Sequence, residues 1–504
     1  MTTIPQVLFE QATRRPEALA IEDGDWRLSY GALAEHVKQA AGVMRGMSLG
    51  HGDKFGIWAP NCAEWIITAL AGQMLGAVMV TLNTRYKGPE AADILRRSHC
   101  KALFTVKGFL GHDYPATLDE QDLPDLQEVI VIREEEGRGA FDSFLERGGV
   151  TINEPAVINN DISDIIFTSG TTGAPKGAMT THGQNVQVFE SFTDAIGMNE
   201  NDRYLVVNPF FHSFGYKAGW LSCLIKGAAI FPLAVYDPKD VLERIERDKI
   251  TVMPGAPTIF QTLLAHPDLS KHDISSLRVA TTGATTIPVD LIRRMHEDLG
   301  IDDVFSAYGL TESTGVVSLC QKGDDFETIA TTCGRVLPGT ELRLVDDYGK
   351  DVTSGEEGEI WVRGFNVMQG YLDMPEATAE TITPDGWLKT GDIGTQDAKG
   401  YIKITDRKKD MVIVGGFNVY PAEIEKALLQ HPSVGDVAVT GVADERLGEV
   451  THAHIVMSGE LSRDDIISWC RENMANYKVP RAVSFHDALP RNASGKVMKY
   501  MLKA

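Results

Sequence analysis

Short β-rich runs alternate with amphipathic helical stretches through about the first four hundred positions of the chain. Residues 28–30 open the pattern, and a helix-like stretch follows over 31–47. Positions 54–58 read as a strand, 64–75 as a helix and 77–82 as the next strand. Strand-length apolar runs recur at 165–168, 203–208, 228–231, 251–254, 278–281 and 304–306, mostly with helical sequence between them. Such βα alternation predicts an α/β architecture rich in parallel sheet. The longest apolar stretch, 66–82, is broken by Thr68, Gly72, Gln73 and Gly76. It reads as a buried helix running into a strand, not as a membrane span.

The pattern changes further along. Positions 359–363 and 400–404 read as antiparallel strands with turn glycines, and 422–429, 436–442, 452–456 and 461–474 as a compact α+β unit of about a hundred residues. The charged run Asp406-Arg407-Lys408-Lys409-Asp410 lies between the two; a run of that kind is usually a solvated turn. The expected organisation is a large N-terminal domain over 1–405 with parallel-rich sheets, helices and an antiparallel β subdomain. A junction over 406–410 and a small α+β domain over 411–504 follow. The charged stretch 133–139 is expected to be a surface connection within the first domain.

Length and composition narrow the function classes. At roughly 150 residues per domain, 504 residues make about three units, or one large unit with a smaller partner. Forty-three per cent apolar and 23% charged residues give ample core and exclude wholesale disorder. With 48 Lys and Arg against 70 Asp and Glu, the formal net charge is −22. That balance argues against nucleic acid or an anionic membrane surface as the main partner, while a local basic patch can still hold a phosphate. The six cysteines form no C-x-x-C and have no close His cluster, so buried thiols in a reducing compartment are expected. Glu10 and Arg14 interrupt the N-terminus too early for a secretory leader, and the final Met-Leu-Lys-Ala is no peroxisomal address. A cytoplasmic protein acting on small molecules is the expectation; a homodimer is left open.

Chemistry concentrates first in Asp164-Ile-Ile-Phe-Thr-Ser-Gly-Thr-Thr-Gly-Ala-Pro-Lys-Gly177. An apolar strand enters a loop of Gly, Ser and Thr with a lysine at its far end. Glycines let backbone N–H groups approach an anion, the hydroxyls of Thr168, Ser169, Thr171 and Thr172 add donors, and Lys176 supplies charge. The spacing is not that of a Walker loop, because Gly177 follows the lysine. Further motifs follow in order: Tyr308-Gly-Leu-Thr-Glu312, Gly358-Glu-Ile, Val367-Met-Gln-Gly-Tyr371, Trp387-Leu-Lys-Thr-Gly-Asp392, the 406–410 run and Pro490-Arg-Asn-Ala-Ser-Gly-Lys496.

This series resembles the adenylate-forming superfamily, which includes acyl-CoA synthetases, firefly luciferase and peptide-synthetase adenylation domains. The resemblance spans nearly the whole chain. It implies that ATP and a carboxylic acid give an acyl-adenylate and pyrophosphate, with CoA then taking the acyl group. It further implies that Thr168, Ser169, Gly170, Thr171, Thr172, Gly173 and Lys176 cradle the phosphates, that Glu312 holds Mg²⁺, and that Thr311 bonds the α-phosphate. Gly283, Ala284 and Tyr308 resemble the adenine-pocket wall, although small residues there also permit tight packing. Asp392 and Arg407 would meet the ribose hydroxyls. Lys496 resembles the lysine bridging carboxylate and α-phosphate, and Lys409 falls at the family's hinge, where many relatives carry Asp. The small domain is expected to be mobile, with Gly415 and Gly416 helping to form the pantetheine tunnel after it turns.

The acid is the more open question. Asn208-Pro-Phe-Phe-His-Ser-Phe-Gly-Tyr-Lys-Ala-Gly-Trp220 coincides with the family's acyl-site motif, where an aromatic-His pair gates the carboxylate. His212 is either that gate or a satisfied core histidine, and an aromatic cluster of this kind is more often core than pocket. No Asp in the stretch meets an α-ammonium, which favours a hydrophobic acid without an amino group. With Leu82-Asn-Thr-Arg-Tyr86 and Thr331-Thr-Cys-Gly-Arg335, the stretch is similar to bacterial steroid-catabolism ligases that activate the propanoate side chain of the bicyclic C/D-ring fragment. A medium-chain fatty-acid ligase would share most of these residues, and a ligase of medium-chain fatty or aryl acids is the alternative. Tyr216 and Lys217 are candidates to address a ring ketone or hydroxyl, or else to pack and be solvated. A stand-alone adenylation enzyme loading a carrier protein, a luciferase-like monooxygenase and a non-catalytic nucleotide sensor are the other classes weighed. A sensor would be expected to lack Glu312 or Lys496, and both are present.

Overall fold

The helix Ala63–Met74 and the strand Val78–Thr81 that follows it are buried along their whole length. That burial suits a sequence that is apolar on nearly every face, with Glu64, Thr68 and Gln73 among its polar exceptions. The computed structural model describes the whole chain except residues 1, 136, 169–174, 284–286, 354, 408–409, 411, 415–416, 420, 445–446, 475, 477, 493–495 and 503–504. No helix among the described residues is long and apolar enough to cross a membrane.

Among the described residues two large mixed sheets carry the N-terminal part. In the first, Val78–Thr81 lies parallel to both Lys54–Trp58 and Ile162–Thr168, and Lys54–Trp58 is parallel in turn to Cys100–Phe109. Ile162–Thr168 then turns back antiparallel into Lys176–Thr181, whose outer edge pairs with Gly370–Tyr371. The two strands that flank the phosphate-type loop are therefore paired with each other, Thr168 opposite Lys176. In the second sheet, Arg203–Val206, Ala229–Pro232, Val252–Pro254, Val279–Gly283 and Asp303–Tyr308 run parallel, as βα alternation requires. Antiparallel strands Ser318–Leu319 and Arg335–Val336 close one edge, and the hairpin Leu19–Asp23/Trp26–Ser29 closes the other. The expected strand at 28–30 thus ends at Ser29, which caps the helix Tyr30–Gly46. The N-terminus, read only as too charged for a leader, forms the helix Ile4–Arg14 under a Thr3 capping box.

The expected antiparallel subdomain is the sheet Thr340–Val345, Gly358–Gly364, Leu388–Gln396 and Ile402–Arg407. Beyond it Val434–Asp444, Gly448–Met457 and Ala482–His486 form a sheet covered by the helices Pro421–Leu428 and Arg463–Asn473. Val419, Ile424, Val439, Ile455 and Ile466 give this C-terminal part its own core.

The 133–139 stretch differs from expectation at its first residue. Arg133 ends the strand Glu128–Arg133 and reaches Glu64 at 2.8 Å and Asp23 at 2.5 Å. Glu64 is fully buried, so Arg133 neutralises a core carboxylate instead of joining the surface connection. All six cysteines are free thiols, and only Cys333 is not fully buried.

Candidate active site

Tyr308 ends the last parallel strand of the second sheet, and the chain then makes a tight turn over Gly309–Gly315. The turn needs glycine at 309: a Cβ there would lie 2.2 Å from the carbonyl oxygen of Gly315. Thr314 takes a left-handed conformation at φ 60°, held by its hydroxyl donating to the Asn366 carbonyl at 2.7 Å. Glu312 is lifted on this turn towards the base of the phosphate hairpin. Its Oε1 accepts the Tyr371 hydroxyl at 2.9 Å and lies 3.4 Å from the Thr168 hydroxyl. Its backbone carbonyl accepts the Met368 N–H at 2.9 Å, which ties the 367–371 segment to the turn.

Tyr371 is placed by register. It pairs with Ala178 on the returning strand of the hairpin, and its N–H donates to Thr378 Oγ1 at 2.9 Å. Lys176 opens that returning strand and holds its ammonium 5.1 Å from the Tyr371 ring centroid. Burial, then the adjoining Glu312 carboxylate, push the Tyr371 hydroxyl well above its ordinary pKa, so it stays a donor at any working pH. One hydroxyl-bearing ring thus joins Lys176 to Glu312. Sequence reading quoted Tyr371 within a motif but gave it no role.

Asp392 is almost fully buried on the strand Leu388–Gln396. The Tyr308 hydroxyl donates to its Oδ2 at 2.6 Å, a short bond of the charge-assisted kind. Its backbone partner on the next strand is Arg407, whose side chain lies outside the described residues. Gly283 pairs with Ala307 beside Tyr308, and a Cβ on it would come within 2.8 Å of the Ala307 carbonyl oxygen. Close strand packing alone therefore requires glycine there. Ser169, Gly170, Thr171, Thr172, Gly173, Ala284, Lys409, Gly415 and Gly416 also lie outside the described residues.

The aromatic stretch divides in two. Phe210, Tyr216 and Trp220 are fully buried around Trp65, at ring-centroid distances of 5.5, 6.2 and 5.9 Å, and are core. His212 and Phe214 are only partly covered. His212 Nδ1 accepts the Phe214 N–H at 3.2 Å, so the neutral ring carries its proton on Nε2. Desolvation lowers its pKa to about 4, which keeps it neutral. Phe214 stands edge-on to Phe192 at 6.5 Å. A Cβ on Gly315 would touch Phe189 at 3.4 Å and Ser213 at 3.5 Å, so the Glu312 turn and the His212 segment share a wall. Lys217 is not solvated; it is buried in an ion pair with Asp164 at 3.0 Å.

Lys496 is exposed on a hairpin of the C-terminal part. Its N–H donates to Asn492 Oδ1 at 2.9 Å, and its carbonyl accepts the Asn492 N–H at 2.8 Å. Arg491 fastens the hairpin to Asp436 at 2.5 Å, and Lys499 to Glu425 at 2.7 Å. The structure thus brings Thr168, Lys176 and Glu312 together and joins Tyr308 to Asp392, while Lys496 lies exposed in the C-terminal part.

Anchored carboxylates beside a hydroxyl-rich hairpin position and polarise a phosphorylated ligand, and the class they define is a nucleotide-binding enzyme. The chain belongs to the AMP-binding enzyme family: that family's model matches residues 8–372, and the model of its C-terminal domain matches 423–496. It is 46% identical over 517 residues to a 3-[(3aS,4S,7aS)-7a-methyl-1,5-dioxo-octahydro-1H-inden-4-yl]propanoyl:CoA ligase of Rhodococcus jostii (strain RHA1), covering 100% of this chain and 98% of that protein. The ligase of the same name from Mycobacterium tuberculosis (strain ATCC 25618 / H37Rv) is 46% identical over 510 residues, covering 100% and 99%. Among solved structures, o-succinylbenzoate CoA synthetase (MenE) from Bacillus subtilis in complex with the acyl-adenylate intermediate OSB-AMP superposes with a TM-score of 0.88. It is 29% identical and covers 100% of this chain and 99% of that one.

Proposed function

We propose that this protein is an AMP-forming acid–CoA ligase whose acid is a bicyclic, steroid-derived propanoate. One observation carries the reaction: Glu312 is held between Tyr371 and Thr168 at the mouth of the phosphate hairpin. The full-length identity to the two indanedione-propanoyl:CoA ligases supports the acid. In the first half-reaction a carboxylate oxygen attacks the α-phosphorus of ATP, the bond to the bridging oxygen breaks, and pyrophosphate leaves with its electron pair. In the second, the CoA sulfur attacks the acyl carbon, the bond to AMP breaks, and the thiol proton is lost.

Each half-reaction needs positioning and charge neutralisation more than covalent help from the protein. The hairpin residues Thr168, Ser169, Gly170, Thr171, Thr172 and Gly173 with Lys176 receive the β- and γ-phosphates, and Thr311 bonds the α-phosphate. Asp392 and Arg407 take the ribose hydroxyls, while Tyr308, Gly283 and Ala284 border the adenine. His212, neutral and with its proton on Nε2, borders the carboxylate with Phe214. The Glu312 carboxylate and the Thr168 hydroxyl beside it are hard oxygen donors and fit Mg²⁺. When bound, that ion supplies charge neutralisation to the phosphates. ATP, Mg²⁺ and CoA are thus the small molecules this reading requires.

Residues 1–405 act as the body and 411–504 as a mobile lid turning about 406–410. Lys496 enters the site for adenylation and leaves afterwards, when Gly415 and Gly416 help to line the path for CoA. The separate core of the C-terminal part supports this reading. Lys496→Ala is expected to abolish ATP–pyrophosphate exchange while thioester formation from supplied acyl-adenylate stays within about threefold of wild type. Equal loss in both half-reactions would refute the alternation of the lid.

A further inference from the structure

Beneath the site lies a buried ionic network that the reaction as described does not use. Lys217 Nζ stands 3.0 Å from Asp164 Oδ1, and neither side chain reaches solvent. Asp164 also accepts the Ser163 hydroxyl at 2.7 Å, the Thr180 hydroxyl at 2.9 Å and the Asn185 amide at 2.7 Å. Lys217 donates to Thr180 Oγ1 at 2.9 Å. The Tyr216 hydroxyl lies 3.5 Å from Asp164 and accepts from Gln73 at 3.0 Å. Burial pushes the Lys217 ammonium down from its ordinary pKa, and Asp164 pushes it back. Replacing such a pair with uncharged residues is often neutral for stability, so stability alone gives no reason for its presence.

Its location suggests a different reason. Asp164 sits on Ile162–Thr168, the strand that enters the phosphate hairpin. Tyr216 and Lys217 open a π-helix, Tyr216–Leu221, which directly follows the short helical turn capped by His212. π-Helical turns are rare and frequently lie at functional sites. Their looser winding brings consecutive side chains nearer to one face, which lets Tyr216 and Lys217 both approach Asp164. The Ser222 hydroxyl completes the turn, donating to the Lys217 carbonyl at 3.0 Å. Upstream, the Tyr216 N–H donates to the His212 carbonyl at 2.9 Å, so a change in winding at 216 moves His212 and Phe214 directly.

We infer that Lys217 is a positioning residue for the acid: paired with Asp164, it locks the π-turn that aims His212 and Phe214 relative to the phosphate hairpin. The inference rests on the acid-site reading given above. Relaxation of the turn to α-helical winding would rotate His212 out of place without touching the nucleotide site.

The test uses the full chain carrying Lys217→Met, Asp164→Asn, both together, and Tyr216→Phe, which leaves both charges paired. Thermal midpoints are measured with ATP–pyrophosphate exchange at varied acid and varied ATP. In the double variant the thermal midpoint should recover at least half of what the single variants lose, yet kcat/KM for the acid should stay roughly 20-fold or more below wild type, with KM for ATP within about threefold. Tyr216→Phe keeps the ion pair and should therefore keep kcat/KM for the acid within about threefold of wild type; a loss of about tenfold or more for the acid alone would show that the pair does not hold the turn, and would overturn the inference even if the charge variants fail to fold. Recovery of the acid term to within about threefold in the double variant, or equal losses for acid and ATP, would overturn the inference. If wild type exchanges with no acid, the acid-ligase reading fails by itself. Crystal structures then decide the inference: a relaxed turn with His212 displaced in a charge variant that folds supports it, an unchanged turn there overturns it, and Tyr216→Phe should keep the wild-type turn.

Discussion

Tyr371→Phe removes one oxygen atom and leaves everything else that fixes the ring. Its N–H bond to Thr378, its strand pairing with Ala178 and the Lys176 ammonium over its face involve no hydroxyl. What is lost is the 2.9 Å bond to Glu312 Oε1, leaving Thr168 at 3.4 Å as the hydroxyl still facing that oxygen. A hydrogen bond to a charged group contributes about 1.5–3 kcal/mol. At about 1.4 kcal/mol per factor of ten, a bond felt fully in the transition state slows adenylation about 10- to 100-fold. Fold stability should fall by only about 1 kcal/mol, because the ring still packs. The assay is ATP–pyrophosphate exchange against Mg²⁺ concentration at fixed ATP and acid. The expected result is a lower maximal rate and a Mg²⁺ midpoint shifted upwards, with KM for the acid unchanged. A maximal rate within about twofold of wild type and an unmoved midpoint would refute the role given to Tyr371.

Asp392→Asn weakens a buried charge-assisted acceptor, and KM for ATP should rise about tenfold or more while KM for the acid stays within about threefold in the same exchange assay. Arg133→Met strands the buried Glu64 carboxylate and should cost about 3–5 kcal/mol in urea unfolding, with Glu64→Gln in the same chain restoring more than half. His212 has a folded-state pKa of about 4 against an ordinary 6.5, so between those values the unfolded chain binds a proton that the folded chain does not. Its contribution is complete above about pH 6.5 and is lost as the pH falls towards about 4; His212→Gln should flatten the dependence of unfolding free energy on pH in that window by up to one proton. Adenylation should accordingly show no inflection near pH 6.5 that disappears in His212→Gln.

The elements that carry the fold were legible because each announces itself locally. Strands Lys54–Trp58 and Val78–Thr81 with the helix between them fall within a residue or two of their expected bounds. The phosphate hairpin was legible as chemistry, but its returning strand was not, since Lys176 read as the end of a loop and not as the start of Lys176–Thr181. Contacts between distant residues were the hardest to see. Tyr371 and Glu312 lie 59 positions apart, and Arg133 and Glu64 lie 69 apart, with nothing in either local pattern to name the partner. A charged residue in a charged run reads as solvated, which hid Arg133. An added residue in a helical turn leaves periodicity almost intact, which hid the π-turn and, with it, the burial of Lys217. Gly283 teaches the converse: its close approach to Ala307 explains a small residue that the family resemblance assigned to a ligand wall.

One measurement tests both the reaction and its acid. Purified protein is given ATP, Mg²⁺ and CoA with the indanedione propanoate or with octanoate, and AMP, pyrophosphate and acyl-CoA are quantified together. One AMP and one pyrophosphate are expected for each acyl-CoA, with a kcat/KM for the bicyclic acid at least about tenfold above that for octanoate. Equal or better turnover of octanoate would contradict the assignment of the acid, and release of ADP and phosphate in place of AMP and pyrophosphate would contradict the reaction itself.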